Sequence, residues 1–87
     1  RFPYGHEITS ERLKMVEKAE EYLKAYGLSE VRVRCQGSTA RIEIPQDELK
    51  HFFKKYNFID LVQYFSNLGF NCTSLDLEGL ISGKLNR

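Results

Sequence analysis

The stretch VRVRCQGSTARIEI, residues 31–44, decides the fold. Apolar and polar residues alternate on both sides of Gly37-Ser38, which is the pattern of two half-buried strands joined by a two-residue turn. A turn with glycine first is typical of type II′ and fixes the pairing of the strands. The predicted pairs are Gln36–Thr39, Cys35–Ala40, Arg34–Arg41, Val33–Ile42, Arg32–Glu43 and Val31–Ile44.

Three helices and one further strand are predicted around this hairpin. Thr9 is the expected N-cap of the first helix and Gly27 its end. The second helix begins at Pro45, and Asn57 ends it and caps the third. The last strand is predicted over 71–78. The helix positions that we predict to pack into the core of the domain are Leu13, Val16, Ala19, Leu23, Tyr26, Leu49, Phe52, Phe53, Tyr56, Phe58, Leu61, Val62, Phe65 and Leu68.

The resulting order, αββααβ, indicates an α+β fold. Because the helices are grouped and do not alternate strictly with strands, we expect a two-layer sandwich. Its three-stranded sheet would be covered by helices on one face.

Size and charge exclude several classes of protein. Eighty-seven residues suffice for one small domain, and thirteen Lys and Arg against twelve Asp and Glu leave a net charge of +1. Such a balance argues against a general nucleic-acid or polybasic membrane binder, so an anion site would have to be local. Apolar runs of two or three residues are too short for a membrane span, and we predict a cytoplasmic protein.

The polar side of the hairpin is the first candidate site. Arg32, Arg34 and Arg41 project from it with Glu43, and the register places Arg34 opposite Arg41. Like charges facing each other destabilise a strand pair, and a phosphate or carboxylate between the two guanidinium groups would relieve the repulsion. The alternative is a solvated face with an Arg32–Glu43 surface pair and the other two arginines pointing into water.

Two carboxylate pairs give weaker signals. Asp47 and Glu48 are explained by a helix N-terminus. Asp76 and Glu78 share one side of the last strand, where they could bind a cation or pair with arginines of a neighbouring strand.

Cysteine and histidine spacing does not indicate a metal or redox centre. Cys35 and Cys72 lie far apart without a Cys-x-x-Cys pattern, and His6 and His51 fall in unrelated segments. Cys35 is expected to face the core and Cys72 to be more accessible, both in structural roles.

Several strings together resemble the C-terminal part of the LarE family, ATP-dependent sacrificial sulfur transferases of the PP-loop superfamily. The resemblance covers essentially the whole sequence. Its strings are Arg1–Gly5 with Ile8-Thr9, Val31–Arg34, Ala40–Pro45, Leu68–Phe70, Thr73, Leu75–Gly79, Ser82-Gly83 and Leu85-Asn86.

This resemblance implies a domain arrangement. Residues 1–8 would form an extended segment that joins an N-terminal PP-loop domain, and residues 9–87 a single α+β domain. The start at Arg1 without Met likewise predicts a piece of a longer protein. ATP and Mg would bind to the N-terminal domain, and no cofactor would bind to this piece. The chain would form a homo-oligomer. No catalysis is expected from this piece alone.

The resemblance also assigns residue roles. Arg32 and Arg34 occupy the family's Arg-Val-Arg positions, associated with the substrate's phosphate; Arg41 joins them through the register. Arg1 and Tyr4 would line the domain junction, and Glu43 is a candidate metal ligand. The implied substrate is an adenylated pyridinium carboxylate mononucleotide that is thiolated in nickel-pincer cofactor synthesis. A noncatalytic anion- or RNA-binding module with an arginine-rich hairpin face is the alternative.

Overall fold

A computed structural model describes residues 9–28 and 30–80. Helix α1 (Ser10–Lys24) precedes strands β1 (Arg32–Gln36) and β2 (Thr39–Glu43). A 3-10 turn (Gln46–Glu48) leads into α2 (Leu49–Lys55), which is followed by α3 (Phe58–Leu68) and β3 (Cys72–Leu75). The predicted order αββααβ and the α+β fold class are confirmed.

Strand β2 lies in the centre of the sheet, between β1 and β3. It pairs antiparallel with β1, and the register from Arg32–Glu43 to Gln36–Thr39 is the one that the sequence predicts. Gly37 adopts φ 60°, as the first turn position requires. Strand β3 runs parallel to β2, a direction that the sequence analysis left unspecified.

Side chains cap the starts of α1 and α3 as predicted, whereas α2 begins at Leu49, after the 3-10 turn, and not at Pro45. The Thr9 side chain accepts a hydrogen bond from the backbone N–H of Arg12 at 3.1 Å, at the start of α1. At the start of α3, Asn57 Oδ1 accepts from the N–H groups of Ile59 and Asp60. Gly69 ends α3 in the left-handed conformation, with φ 119°.

The core lies between the helices and one face of the sheet. It contains Ala19, Leu23, Leu28, Val31, Val33, Ala40, Ile42, Ile44, Phe52, Tyr56, Leu61, Phe65 and Phe70. The prediction was wrong for Leu13, Tyr26, Phe53, Phe58 and Val62, which are all exposed. Each lies at the margin of its helix's apolar stripe or near a helix end. In a two-layer fold a helix is covered along one side only, so marginal positions face solvent.

The chain after β3 stays beside β2 and the residues that follow it. The backbone N–H of Asp76 donates to the Ile42 carbonyl at 2.9 Å, and that of Leu80 to the Ile44 carbonyl at 2.7 Å. Gly79 makes this close approach possible: it has φ 81°, and a Cβ there would lie 2.6 Å from the Ile44 oxygen. The approach fixes Asp76 next to the polar face of the hairpin.

Within the described ranges, no helix combines the length and the apolar character needed to cross a membrane.

Candidate anion-binding site

The sheet face turned away from the helices carries the predicted site residues. Alternation along β1 and β2 puts Arg34, Arg41 and Glu43 on this face, and Ser74 of β3 lies beside Arg41 in the parallel register. We call Arg34, Arg41 and Glu43, with Arg32 at the margin, the arginine face. The strand pairing therefore gathers side chains that are up to eleven positions apart in the sequence.

Glu43 lies between the two guanidinium groups that face each other. Its Oε1 accepts from Nε of Arg34 at 3.2 Å, and its Oε2 accepts from Nη2 of Arg41 at 3.1 Å. Glu43 is only 2% exposed, whereas the side chains of Arg34 and Arg41 are 29% and 33% exposed. A buried carboxylate thus holds two partly solvated cations in fixed positions.

Asp76 supplies a second negative charge beside Arg41. Its Oδ2 lies 3.9 Å from Nε of Arg41, while its Oδ1 accepts from the backbone N–H of Glu78 at 2.9 Å. Nε of Arg41 is buried and makes no hydrogen bond in the described structure. Because this N–H has no access to solvent and lies beside the Asp76 carboxylate, it offers no donor to a bound anion.

The charges of Arg34, Arg41, Glu43 and Asp76 cancel within this group. Arg32 is exposed and makes no ion pair with any acidic residue in 9–28 or 30–80. A net positive charge on the face therefore comes from Arg32. The arrangement can bind an anion with charge from Arg32 and with directed N–H groups from Arg34 and Arg41.

The structure shows a third surrounding for the two opposed arginines, different from both that the sequence suggested. The carboxylate that relieves the Arg34–Arg41 repulsion belongs to Glu43, so an external anion is not needed for the strands to pair. The predicted surface pair between Arg32 and Glu43 is wrong, because Glu43 forms its ion pairs with the diagonal neighbour Arg34 and with Arg41. Diagonal positions two residues from a directly opposed pair are within reach of long side chains, a signal present in the sequence.

Two α1 residues that the sequence analysis did not single out hold the outer edge of β1. Glu20 Oε2 accepts from the backbone N–H of Val33 at 2.9 Å. Arg12 Nη1 donates to the Gly37 carbonyl and lies 3.3 Å from Sγ of Cys35. These contacts satisfy edge-strand groups and keep the hairpin, and with it the arginine face, in place.

The surroundings of Glu43 do not fit a metal ion. Both of its oxygens face guanidinium nitrogens, whose positive charge opposes a cation. The described residues also contain no group of three or more His, Cys, Asp or Glu side chains arranged to hold a metal. The metal role of Glu43 stays a prediction.

The remaining predicted residues lie elsewhere. Cys35 is half-buried against the core, Cys72 is exposed, and both are free thiols. The domain-junction residues Arg1 and Tyr4 lie outside the described residues, so their predicted role stays a prediction. His51 lines a separate cleft of 330 Å³ between the C-terminal end of α1 and α2, away from the arginine face.

Tyrosines form the wall of that cleft. The Tyr56 hydroxyl donates to the Leu23 carbonyl at 2.7 Å, and burial raises the pKa of Tyr56 above its ordinary value. Through this hydrogen bond Tyr56 links α2 to the end of α1. The cleft is best explained as the margin of the core.

No family model matches the chain. Individual proteins do. The chain is 51% identical over 87 residues to an uncharacterized protein of Synechocystis, covering all of the chain and 32% of that relative. It is 40% identical over 87 residues to the pyridinium-3,5-bisthiocarboxylic acid mononucleotide synthase of Lactiplantibacillus plantarum, covering 99% of the chain and 30% of the relative. An uncharacterized protein of Methanocaldococcus jannaschii is 35% identical over 78 residues, 30% of its length.

The fold and the arginine face define an α+β domain with a preorganised pair of guanidinium groups. The matches bear out the resemblance seen in the sequence: over its whole length the chain is similar to part of a named mononucleotide synthase, which fits a LarE-like domain. It spans about a third of the length of the curated relatives that it matches.

Proposed function

We propose that the chain is the C-terminal domain of a LarE-like, ATP-dependent sulfur transferase and that its arginine face binds the phosphate of a nucleotide-like substrate. The observation that carries the proposal is the fixed pair of guanidinium groups, Arg34 and Arg41, on either side of the buried Glu43 carboxylate. The 40% identity to a protein named as a mononucleotide synthase supports the same ligand chemistry.

Each residue would contribute differently to phosphate binding. Glu43 takes one donor from each of Arg34 and Arg41, which leaves further Nη–H groups of both guanidiniums for phosphate oxygens. Arg32 adds an unpaired positive charge from the margin of the face. Because the two inner arginines are already ordered, binding an anion costs less side-chain entropy than ordering two free arginines would.

The rest of the reaction would take place outside this chain. In this proposal a PP-loop domain of the same protein binds ATP and Mg and adenylates the substrate's carboxylate, and a sulfur transfer step follows. In this proposal the described residues take no part in ATP binding, adenylation or sulfur transfer. They bind and orient the substrate through its phosphate. The domain also takes part in assembling a homo-oligomer of a cytoplasmic protein.

Calorimetric titration of the chain with a nucleoside monophosphate tests the phosphate site. We expect binding that the matching nucleoside, which lacks the phosphate, does not show. Arg34→Ala and Arg32→Ala should each weaken binding about 10- to 100-fold, since a hydrogen bond to a charged group contributes about 1.5–3 kcal/mol.

Lys18→Ala is the matched control, because it removes an exposed positive charge on α1 and should leave the affinity within about twofold. Binding that survives both arginine substitutions would contradict the phosphate site.

The alternative, a noncatalytic RNA-binding module, predicts a different result. Its binding of a short RNA would weaken steeply with salt and would depend on many lysines as well as the arginines. The near-zero net charge argues against RNA binding through a broad positive surface.

A further inference from the structure

The open face of the sheet is arranged in rows that cross the three strands. The strand pairing gives one row of Arg34, Arg41 and Ser74. The next row toward the hairpin turn, which we call the turn row, consists of Gln36, Thr39 and Cys72. Successive rows are two residues apart along each strand, or about 7 Å. The turn row is therefore the immediate neighbour of the two inner arginines.

The two directions that lead away from these arginines along the strands differ in charge. The turn row carries an amide, a hydroxyl and a thiol, and it contains no Asp, Glu, Lys or Arg. The opposite direction leads to the carboxylates of Glu43 and Asp76. Both of these are already engaged, Glu43 by the two guanidinium groups and Asp76 by the backbone N–H of Glu78. A ligand held by its anion on the arginines thus meets engaged carboxylates on one side and hydroxyl and amide groups on the other.

We propose that Gln36 and Thr39 bind the sugar hydroxyls of the ligand whose phosphate lies on Arg34 and Arg41. The inference rests on the phosphate site proposed above. A threonine hydroxyl and a glutamine amide can each donate and accept hydrogen bonds, which suits the two neighbouring hydroxyls of a ribose. These hydroxyls lie on the far side of the ribose ring from its 5′-phosphate, a distance comparable to the spacing between rows. The ligand is then a ribonucleotide that lies along β1 and β2 with its sugar toward the turn.

Contacts from two other elements hold the hairpin turn in place. Arg12 of α1 donates from Nη1 to the Gly37 carbonyl. The backbone N–H of Asn71, just before β3, donates to the Ser38 carbonyl at 2.8 Å. Because the turn is fixed from both sides, the backbone beneath the turn row loses little conformational freedom when a sugar binds.

Calorimetric titration with three probes tests the inference: adenosine 5′-monophosphate, its 2′,3′-dideoxy analogue and inorganic phosphate. The parent chain should bind the ribonucleotide about 10-fold more tightly than the dideoxy analogue, because the analogue lacks the hydroxyls that Gln36 and Thr39 would bind. Gln36→Met/Thr39→Val should bind the two nucleotides equally and should bind inorganic phosphate like the parent chain. The new side chains are similar in size and valine is favoured in strands, so the hairpin should be kept, and unchanged phosphate binding reports that it is.

Gln63→Met/Thr73→Val is the matched control. It makes the same two chemical changes at an exposed position of α3 and at a β3 position that pairs with Ala40, on the side of the sheet turned toward the helices. Its preference for the ribonucleotide should equal that of the parent chain.

The three probes separate failure of this inference from failure of the phosphate site. Equal binding of both nucleotides by the parent chain would overturn the sugar site and leave the phosphate site standing. A preference that survives Gln36→Met/Thr39→Val would contradict the assignment to these two residues. A parent chain that binds none of the three probes would refute the phosphate site and the sugar site together.

Discussion

Replacing Glu43 with glutamine should lower the free energy of unfolding by about 2 kcal/mol. The carboxylate is buried and pairs with Arg34 and Arg41, which face each other across the strand pair. A neutral amide leaves the two guanidinium groups opposed, with one negative charge fewer between them. Removing one partner of a fully buried pair costs about 3–5 kcal/mol, and we reduce this because both arginines are about a third exposed.

Urea denaturation followed by circular dichroism measures this change. Glu17→Gln, which alters an exposed glutamate on α1, should stay within about 0.5 kcal/mol of the parent chain. A loss no larger than that for Glu43→Gln would show that Glu43 is not what allows Arg34 and Arg41 to lie opposite each other.

Replacing Phe65 with alanine should lower the free energy of unfolding by about 4 kcal/mol. The Phe65 side chain is fully buried beneath α3 and packs against the rings of Tyr22 and Phe70. Its removal loses the transfer free energy of a phenyl ring and leaves a cavity. Since a domain of this length has a total stability of about 4–13 kcal/mol, the variant should be at or near unfolding at room temperature.

Phe53→Ala makes the same chemical change at a half-exposed position, and its expected loss is below about 1 kcal/mol. Thermal and urea denaturation of the two variants side by side provide the comparison. Equal losses of unfolding free energy in the two variants would contradict the structure, in which Phe65 is buried and Phe53 is half-exposed.

The sequence predicted those features of the fold that depend on neighbours along the chain. Alternation around Gly37 gave the hairpin and its register, because shifting the pairing by one residue would turn Val33 and Ile42 toward solvent. Capping chemistry at Thr9 and Asn57 likewise marked the helix starts.

Features that depend on distant packing could not be predicted in the same way. The direction of β3 was left open, because a connection through two helices can return a strand either way. An apolar stripe shows which side of a helix faces inward but not how far the opposing layer extends, so Phe53 and Val62 were assigned to the core although they are exposed.

The sequence predicted that Arg34, Arg41 and Glu43 share one sheet face, but it did not predict all of the contacts between them. Register placed Arg34 opposite Arg41, which the structure confirms. The partner of Glu43 depends on side-chain reach across the diagonal, and the role of Asp76 depends on the close approach of Gly79 to Ile44. Of these two contacts, the pairing of Asp76 with an arginine of a neighbouring strand was one of the alternatives that the sequence suggested, whereas the partners of Glu43 were not predicted. The phosphate-binding role of Arg32, Arg34 and Arg41 stays a proposal.

Nuclear magnetic resonance of the ¹⁵N-labelled chain during titration with a nucleoside monophosphate tests that proposal most directly. The side-chain Nε–H signals of Arg34 and Arg41 and the backbone amides of 32–36 and 39–43 should shift together and saturate, and inorganic phosphate should reproduce the arginine shifts. Shifts confined to the lysines of α1 and α2, or to the cleft between Tyr26 and Tyr56, with the hairpin unchanged, would contradict the assignment of the anion site to the arginine face.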